Sequence, residues 1–348
     1  MSRVGRFSLL LLVVTLACPV HAASSRSIWI DRRLVHGLPV TGPAWRNLKQ
    51  AADAPTLKPD LADQDSQANV QVLARALVYC RLEEQRYRQE VMRACREVMG
   101  SEQGGTTLSL GRELAAYVIA ADLVGLDPDL DRSFRRWLGR VRTRVLQGRS
   151  LRSTHLDRPN NWGTHAGASL MAIAAFLGER NELDRLATVF RGWLGDRRSY
   201  SGFRYRDLSW QADPLHPVGI NPRGATKLGH DIDGVLPDDQ RRSGPFRWPP
   251  PKENYVWEAL QGAVVQAVIL SRQGYGVWDW EDKALLRAYR WLYEVAGYPP
   301  QGDDIWQVYL VNCYYGTDFP AQTPVRPGKN MGWTDWTHGS CRERQAEQ

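Results

Sequence analysis

The sequence lacks the patterns that mark several common classes of protein. It has five cysteines in 348 residues and no Cys-x-x-Cys pair, which argues against a zinc site. It has no Gly-x-Ser-x-Gly segment, so a serine-nucleophile hydrolase is not indicated. Lysine and arginine form no long runs and no nucleic-acid-binding motif is present, so we expect no nucleic-acid partner. We expect neither a metal nor another cofactor.

Long apolar runs are also missing, apart from one at the N-terminus. Residues 9–17 are apolar, Arg3 and Arg6 precede them, and Val20-His21-Ala22 follows as a small-residue cleavage site. This order predicts a signal peptide over residues 1–22, cleaved after Ala22. We therefore expect a periplasmic or secreted protein with no membrane partner once the leader is removed.

Four cysteines remain after that cleavage. An even number in an exported chain favours disulfides, and four cysteines allow three pairings. We predict Cys80–Cys95 between neighbouring helices and Cys313–Cys341 at the C-terminal tail.

Phenylalanine is scarce, whereas the amphipathic aromatic residues are abundant. The chain has 14 Trp and 13 Tyr against 7 Phe, and its formal net charge is +7. Trp and Tyr combine a flat apolar face with a polar tip, which suits a wet groove that binds sugars. The positive charge favours an acidic partner, and for an exported protein we expect an acidic polysaccharide.

Strand signals are few, and helical periodicity dominates from Ala68 onward. Apolar residues recur there at i, i+3, i+4 and i+7 in segments of 12–18 residues joined by short turns. This pattern predicts an all-α protein of antiparallel helical hairpins, closed into an incomplete (α/α) toroid. We predict an irregular N-terminal extension over 23–66, one catalytic domain over 67–340 and a tail over 341–348. The irregular stretches 196–252 and 299–340 are predicted to be loops over a central groove.

Two stretches carry residues suited to chemistry. The first, residues 158–167, places Asn160, Asn161, Trp162 and His165 just before an apolar helix. Asparagine caps helices, and a helix N-terminus attracts anions, so this turn is suited to binding a carboxylate. The simpler interpretation is that the asparagines only cap the helix and close the turn.

The second stretch covers residues 231–260. It contains Asp233-Gly234-Val235-Leu236-Pro237, then Arg241 and Arg242, then Asn254-Tyr255, and then Ala259-Leu260. The Asp-x-Asp-Gly segment at 231–234 has the start of a calcium loop, but the remaining ligands are missing at their spacing.

Together the two stretches resemble the alginate lyases with an α/α-toroid fold. In that family an Asn-Asn-His segment precedes a buried helix, and the elements of the second stretch follow in the same order. The chain departs from the family pattern in two places: His165 lies four residues after Asn161, and the gap from Arg242 to Tyr255 is longer. The resemblance therefore implies a distant relative acting on alginate, polymannuronate or a related polyuronate such as glucuronan.

The resemblance implies β-elimination on a 1,4-linked uronic acid polymer. It implies catalytic roles for Asn161, His165, Arg242 and Tyr255, in which Asn, His and Arg neutralise the C5 carboxylate and Tyr serves as base and acid. Each good donor to the developing negative charge is worth about 3–4 kcal/mol. The implied substrate-binding residues are Asn160, Trp162, Arg241, Arg247, His230 and Tyr314.

Several alternatives remain open at this level. His165 can replace Tyr255 as the base, and Arg241 can replace Arg242. A glycoside hydrolase on the same fold would use a pair of carboxylates instead. The candidates for such a pair are Asp207, Asp213, Asp231, Asp233 and Glu258. A non-catalytic exported protein that binds acidic polysaccharide would show the same charge and aromatic content.

Overall fold

The computed structural model describes residues 27–341, and within that range the chain is mostly helical. The predicted all-α class is confirmed. The predicted signal peptide and residues 342–348 of the predicted tail lie outside the described residues. The α-helices are α1 (Arg32–Gly37), α2 (Gly42–Asp53), α3 (Ala68–Leu82), α4 (Gln85–Glu97), α5 (Thr107–Val124), α6 (Pro128–Val141), α7 (Leu151–Asp157), α8 (Asn161–Leu177), α9 (Arg180–Leu194), α10 (Pro237–Gln240), α11 (Tyr255–Arg272), α12 (Trp280–Arg290), α13 (Trp306–Tyr315) and α14 (Thr334–Thr337). One short antiparallel hairpin pairs β1 (Thr226–Lys227) with β2 (His230–Asp231).

The helices form an inner and an outer set. Helices α3, α5, α8 and α11 are buried on nearly all sides, as expected for helices with apolar residues on most of their faces. Helices α4, α6, α9 and α12 bury one face and expose the other. The inner helices are neighbours in chain order, α3 with α5, α5 with α8 and α8 with α11. Successive hairpins therefore stack side by side with α8 near the centre.

Two glycines allow α8 to pack closely against its neighbours. A methyl group on Gly111 of α5 would lie 2.9 Å from the Ala166 amide nitrogen. A methyl group on Gly262 of α11 would lie 2.5 Å from the Thr164 carbonyl carbon. Both distances are below ordinary van der Waals contact, so only glycine permits these backbone approaches.

The C-terminal segment returns to the start of the helical array. The Trp336 ring lies 5.3 Å from the Trp45 ring. The Asn47 side chain donates to the Val325 carbonyl at 2.8 Å, and the Trp333 indole donates to the Val70 carbonyl at 3.1 Å. These contacts agree with closure into a toroid, which stays a prediction.

The prediction of irregular structure was wrong in two regions. Residues 23–66 contain α1 and α2, and residues 299–340 contain α13 and α14. In α2, Gly42-Pro43 opens the helix, and Trp45, Leu48 and Ala52 bury one face at helical spacing. The high proline and aspartate content of this region concealed that short amphipathic pattern.

Of the two predicted disulfides, one is present and one is not. Cys313 and Cys341 form a disulfide, as predicted. The Cys80–Cys95 pairing is wrong, because both thiols are buried and unbridged. Helices α3 and α4 are joined by two residues, so Cys95 lies about 12 Å along the hairpin from Cys80, beyond the ~7 Å that a disulfide spans. Burial raises the pKa of each thiol to about 12.

Within residues 27–341 no helix combines the length and the apolar character needed to cross a bilayer.

Candidate active site

The early turns of α5, α8 and α11 meet at one end of the inner helices. Asn161 is the first residue of α8, and His165 follows one turn later on the same face. Both side chains are fully buried. The predicted pair is therefore placed together by simple helical spacing.

Asn161 has an unusual hydrogen-bonding state for a buried residue. Its amide oxygen and nitrogen find no partner among residues 27–341, while its backbone carbonyl accepts a hydrogen bond from the Thr164 hydroxyl at 3.1 Å. A buried polar group without a partner costs about 1–3 kcal/mol. Such a group is expected at a binding site, where a ligand supplies the missing partner.

A carboxyl group of the protein itself lies at the α8 N-terminus, where a ligand carboxylate was predicted. Asp239 of α10 accepts a hydrogen bond from the Asn161 backbone N–H at 3.1 Å. The Asn160 side chain accepts from the Trp162 N–H at 3.2 Å and donates to Asp238 at 3.1 Å. Burial raises the pKa of Asp239 well above its ordinary value, and the neighbouring Asp238 raises it further. Asn160 therefore caps α8 and anchors α10, and both ends of its amide are used.

His165 lies against an ion pair. Its Nε2 is 4.0 Å from a carboxylate oxygen of Glu258 on α11, and Glu258 pairs with Arg112 of α5. Burial lowers the pKa of His165 well below its ordinary value, and the charges of Arg112 and Lys329 lower it further. The imidazole is therefore neutral near pH 7, able to donate one hydrogen bond but a weak base.

Tyr255 and Arg242 lie one turn of α11 from Glu258. Tyr255 opens α11, one turn before Glu258 on the same helical face, and is 39% exposed. The Arg242 guanidinium lies over the Tyr255 ring, 4.1 Å from its centroid. Through Glu258 and His165, the structure connects the second predicted stretch to the first.

Arg241 and Arg242 have different surroundings. Arg241 makes two hydrogen bonds to Asp238, at 2.8 and 3.2 Å, within a buried contact. Arg242 is exposed and forms no ion pair within the described chain. The geometry favours Arg242 as the residue that meets an acidic ligand, and gives Arg241 the role of holding α10.

One protein family matches part of this chain. Residues 47–216 match the model of the alginate lyase family. Over this range, just under half of its length, the chain is similar to the alginate lyases. The match includes Asn161 and His165 and ends before Arg242 and Tyr255. No curated protein matches the sequence.

Three further residues were predicted to bind substrate. The half-buried Trp162 ring lies on the first turn of α8, with the Arg158 guanidinium 5.8 Å from its centroid. His230 of β2 stacks on Trp248, with 4.4 Å between the rings. Arg247 is exposed on the same loop as Trp248. These positions leave the three predictions open.

The structure does not place Tyr314 near Asn161, His165 or Tyr255. Its ring stacks on Trp278 at 4.3 Å, six residues after the end of α11, whereas Tyr255 is the first residue of that helix. The 18 residues of α11 span about 27 Å, so Tyr314 lies at the other end of the inner helices. Burial raises the pKa of Tyr314 to about 12. The prediction that it binds substrate at this site is therefore corrected.

The carboxylates predicted for a hydrolase each have a local partner. Asp207 accepts from the Ser209 N–H, Asp213 pairs with His216, and Asp231 accepts from the Asp233 N–H. Asp233 pairs with Arg287, and Glu258 with Arg112. Asp231 and Asp233 line a surface cavity of about 430 Å³. Asn161, His165, Arg242 and Tyr255 do not line this cavity. Within residues 27–341, no three His, Cys, Asp or Glu side chains are grouped to hold a metal ion.

Arg112 and Asp239 are the site residues that sequence reasoning missed. Arg112 and Glu113 are buried side by side within a helix whose other buried residues are mostly apolar. Charged residues are almost never buried without a partner or a role, so this position was a detectable signal. Asp239 gave no such signal, because its contact with Asn161 joins residues 78 apart in the chain.

Proposed function

We propose that this chain is a polysaccharide lyase that cleaves a 1,4-linked polyuronate, either alginate or polymannuronate or glucuronan, by β-elimination. The likeness to alginate lyases supports the reaction class. The stacking of Arg242 on Tyr255, one helical turn from the Glu258–His165 contact, is the observation that carries the proposal. This contact supports the proposal because Arg242 lies over Tyr255, one turn of α11 from Glu258, and Glu258 in turn contacts the imidazole of His165.

The first requirement of this reaction is neutralisation of the substrate carboxylate. Loss of the C5 proton produces a carbanion beside that carboxylate, and charge spreads into it as an enolate. Arg242 supplies positive charge, while the Asn161 amide and the neutral His165 supply hydrogen bonds. Pre-positioned donors of this kind are worth about 3–4 kcal/mol each in the transition state.

Tyr255 then carries the proton. As phenolate it removes the C5 proton, a C4–C5 double bond forms and the C4–O4 bond breaks. The resulting hydroxyl returns the proton to the departing O4. His165 is the weaker candidate for the base, because burial and the charges of Arg112 and Lys329 lower its pKa.

Absorbance of the unsaturated product tests the reaction directly. The purified chain is incubated with polymannuronate, polyguluronate, glucuronan and a neutral glucan, and ultraviolet absorbance is followed. A rise with one polyuronate is expected, because the new double bond is conjugated with the carboxylate. New reducing ends without absorbance would instead indicate the hydrolase, and binding without either product would indicate a binding protein.

A Tyr255 variant and a matched pair of arginine variants test the roles proposed for these residues. Tyr255→Phe is expected to lower kcat by about 10²–10⁴-fold, the usual contribution of a general acid–base group. Arg242→Lys is expected to lower kcat/KM much more than Arg241→Lys, because only Arg242 lies over Tyr255. Full activity in Tyr255→Phe would overturn this mechanism.

We also propose that the protein is exported. The Cys313–Cys341 disulfide agrees with an oxidising compartment. N-terminal sequencing of the mature protein from the periplasmic or culture fraction should begin at Ala23; an intact Met1 in the cytoplasmic fraction would contradict export.

A further inference from the structure

A second positively charged surface adjoins the turn that leads into α8. It consists of Arg149, Arg158, Arg204 and Arg206, which we call the arginine strip. Arg204 and Arg206 are exposed, and Arg149 and Arg158 are half-buried. None of these residues has a part in the reaction proposed above.

The strip is assembled by a loop docked on the end of α7. The Tyr200 hydroxyl donates to the Leu156 carbonyl at 2.5 Å, and the Arg204 N–H donates to the Asp157 carbonyl at 2.8 Å. These two hydrogen bonds hold the segment that carries Arg204 and Arg206 against the end of α7, next to Arg158. The segment is therefore fixed in place rather than extended into solvent.

The positive charge of the strip is only partly balanced. Among residues 27–341, Asp157 is the one carboxylate that forms an ion pair with it, through Arg149 and Arg204. Arg158 and Arg206 form no ion pair in the same range. Burial lowers the pKa of Arg158, and the nearby charges of Arg149 and Arg206 lower it further. Arg149 and Arg204 both contact Asp157, and Arg158 is the next residue, so these like charges lie close together and favour an anionic ligand.

The strip continues toward the candidate active site. Arg158 lies over Trp162, which follows Asn161 directly. On its other side Arg158 lies within electrostatic range of Asp238, the partner of Arg241. Arg242, the next residue, stacks on Tyr255. Positive side chains and an aromatic face thus extend from the strip to the residues proposed to act on the substrate.

We propose that the arginine strip binds the carboxylates of uronic acid units that flank the cleaved linkage, so that the protein selects chains of several consecutive acidic sugars. This inference rests on the proposed function. A polyuronate carries one carboxylate on every sugar, so a second cluster of guanidinium groups beside the reacting unit matches a longer chain. Arginine suits the task because its planar donor pair fits a carboxylate.

Binding measured without turnover tests the strip separately from the lyase reaction. In a Tyr255→Phe background, calorimetry compares trimers and octamers of 1,4-linked mannuronate and glucuronate. Arg158→Gln/Arg206→Gln removes two guanidinium groups. It is expected to weaken octamer binding by at least about tenfold, the loss for a single charge-assisted contact, and trimer binding by less than about twofold. The control Arg136→Gln/Arg140→Gln removes the same charge from the exposed face of α6 and should change neither. Arg206→Gln alone, at an exposed position, guards against misfolding of the double variant.

The outcomes separate the two proposals. Equal losses for trimer and octamer, no loss beyond the control, or no binding of any oligomer would overturn the inference. If the wild-type chain cleaves a polyuronate and the strip variants bind oligomers as tightly as the control, the proposal for the arginine strip is rejected and the lyase proposal stands. Length-dependent binding that requires Arg158 and Arg206, without any unsaturated product, would support the strip and reject the lyase.

Discussion

The contact between α8 and α11 should make one glycine-to-alanine substitution destabilising where the same change elsewhere is stabilising. Gly262 lies in the interior of α11, where alanine improves helix propensity by about 1 kcal/mol. A methyl group there would lie 2.5 Å from the Thr164 carbonyl carbon and 2.6 Å from the His165 amide nitrogen, whereas ordinary contact starts at 3.4 Å. Both neighbours are backbone atoms, so the helices must separate. Overpacking of this kind costs about 3 kcal/mol at its upper end, which leaves a net loss of about 2 kcal/mol.

Gly139 provides the matched control. It lies within α6, and a methyl group there would meet no atom within 4 Å. Gly139→Ala should therefore stabilise the protein by about 0.5–1 kcal/mol. Urea denaturation of both variants and the wild type gives the free energies of unfolding. A Gly262→Ala protein as stable as Gly139→Ala would refute the packing argument.

Gly262→Ala and Gly139→Ala should also differ in activity. Glu258 is one turn from Gly262, and His165 lies at the clash, so separation of the helices changes the Glu258–His165 contact. A displacement of about 1 Å can cost about 10²-fold in rate. On the proposed function, kcat should fall to that degree in Gly262→Ala and stay unchanged in Gly139→Ala.

Three further predictions concern buried polar groups. Burial raises the pKa of Asp304 to about 7, so the folded protein keeps a proton that the unfolded chain loses near pH 4. The free energy of unfolding therefore falls as pH rises from 4 to 7. Asp304→Asn, which keeps an acceptor for Gln261, should flatten that fall, as seen by urea midpoints at pH 5 and 8; an unchanged slope would contradict it. Glu258→Gln leaves the Arg112 charge buried without its partner and should lower the free energy of unfolding by about 3 kcal/mol. Arg112→Met/Glu258→Met removes both charges and should lower it by less. A larger loss in the double variant would be evidence against the pairing. Asn161→Ala should change stability by less than about 1 kcal/mol, because its amide has no partner within the described chain, yet lower kcat by about 10²–10³-fold; loss of stability with intact activity would show a structural role.

The helices that sequence periodicity identified are those whose burial is marked in the sequence itself. The inner helices α3, α5, α8 and α11 are long apolar segments, and their burial follows directly from composition. Helix α13 was missed because its ten residues are rich in aromatic residues and buried on most sides, so no 3.6-residue alternation marks it. The Cys80–Cys95 error has a different cause, since neighbouring helices do not bring every pair of their residues together.

The candidate site was predictable where helical spacing alone sets the geometry. Asn161 and His165 are four residues apart, so any helix through them places them on one face. The stacking of Arg242 on Tyr255 depends on the path of twelve intervening residues, which periodicity does not describe. The choice between Arg241 and Arg242 likewise needed the structure, because both lie near acidic residues in the sequence and only Arg241 pairs with Asp238.

The balance of charge explains why Arg242, and not Arg112, is assigned to the substrate carboxylate. Arg112 is the more deeply buried cation and lies nearer His165, but its charge is opposed by Glu258 within a direct ion pair. A substrate carboxylate approaching Arg112 would also approach Glu258, and the two carboxylates would repel each other. Likewise, the Asp239 carboxyl group already accepts a hydrogen bond from the Asn161 backbone N–H, so this N–H is not free to bind a substrate carboxylate. Arg242 pairs with no carboxylate in the described chain, and its position over Tyr255 puts its charge where the proton is transferred. On this reasoning Glu258→Gln should strengthen the binding of a polyuronate oligomer in a Tyr255→Phe background. Weaker binding would indicate that Arg112, held by Glu258, meets the substrate.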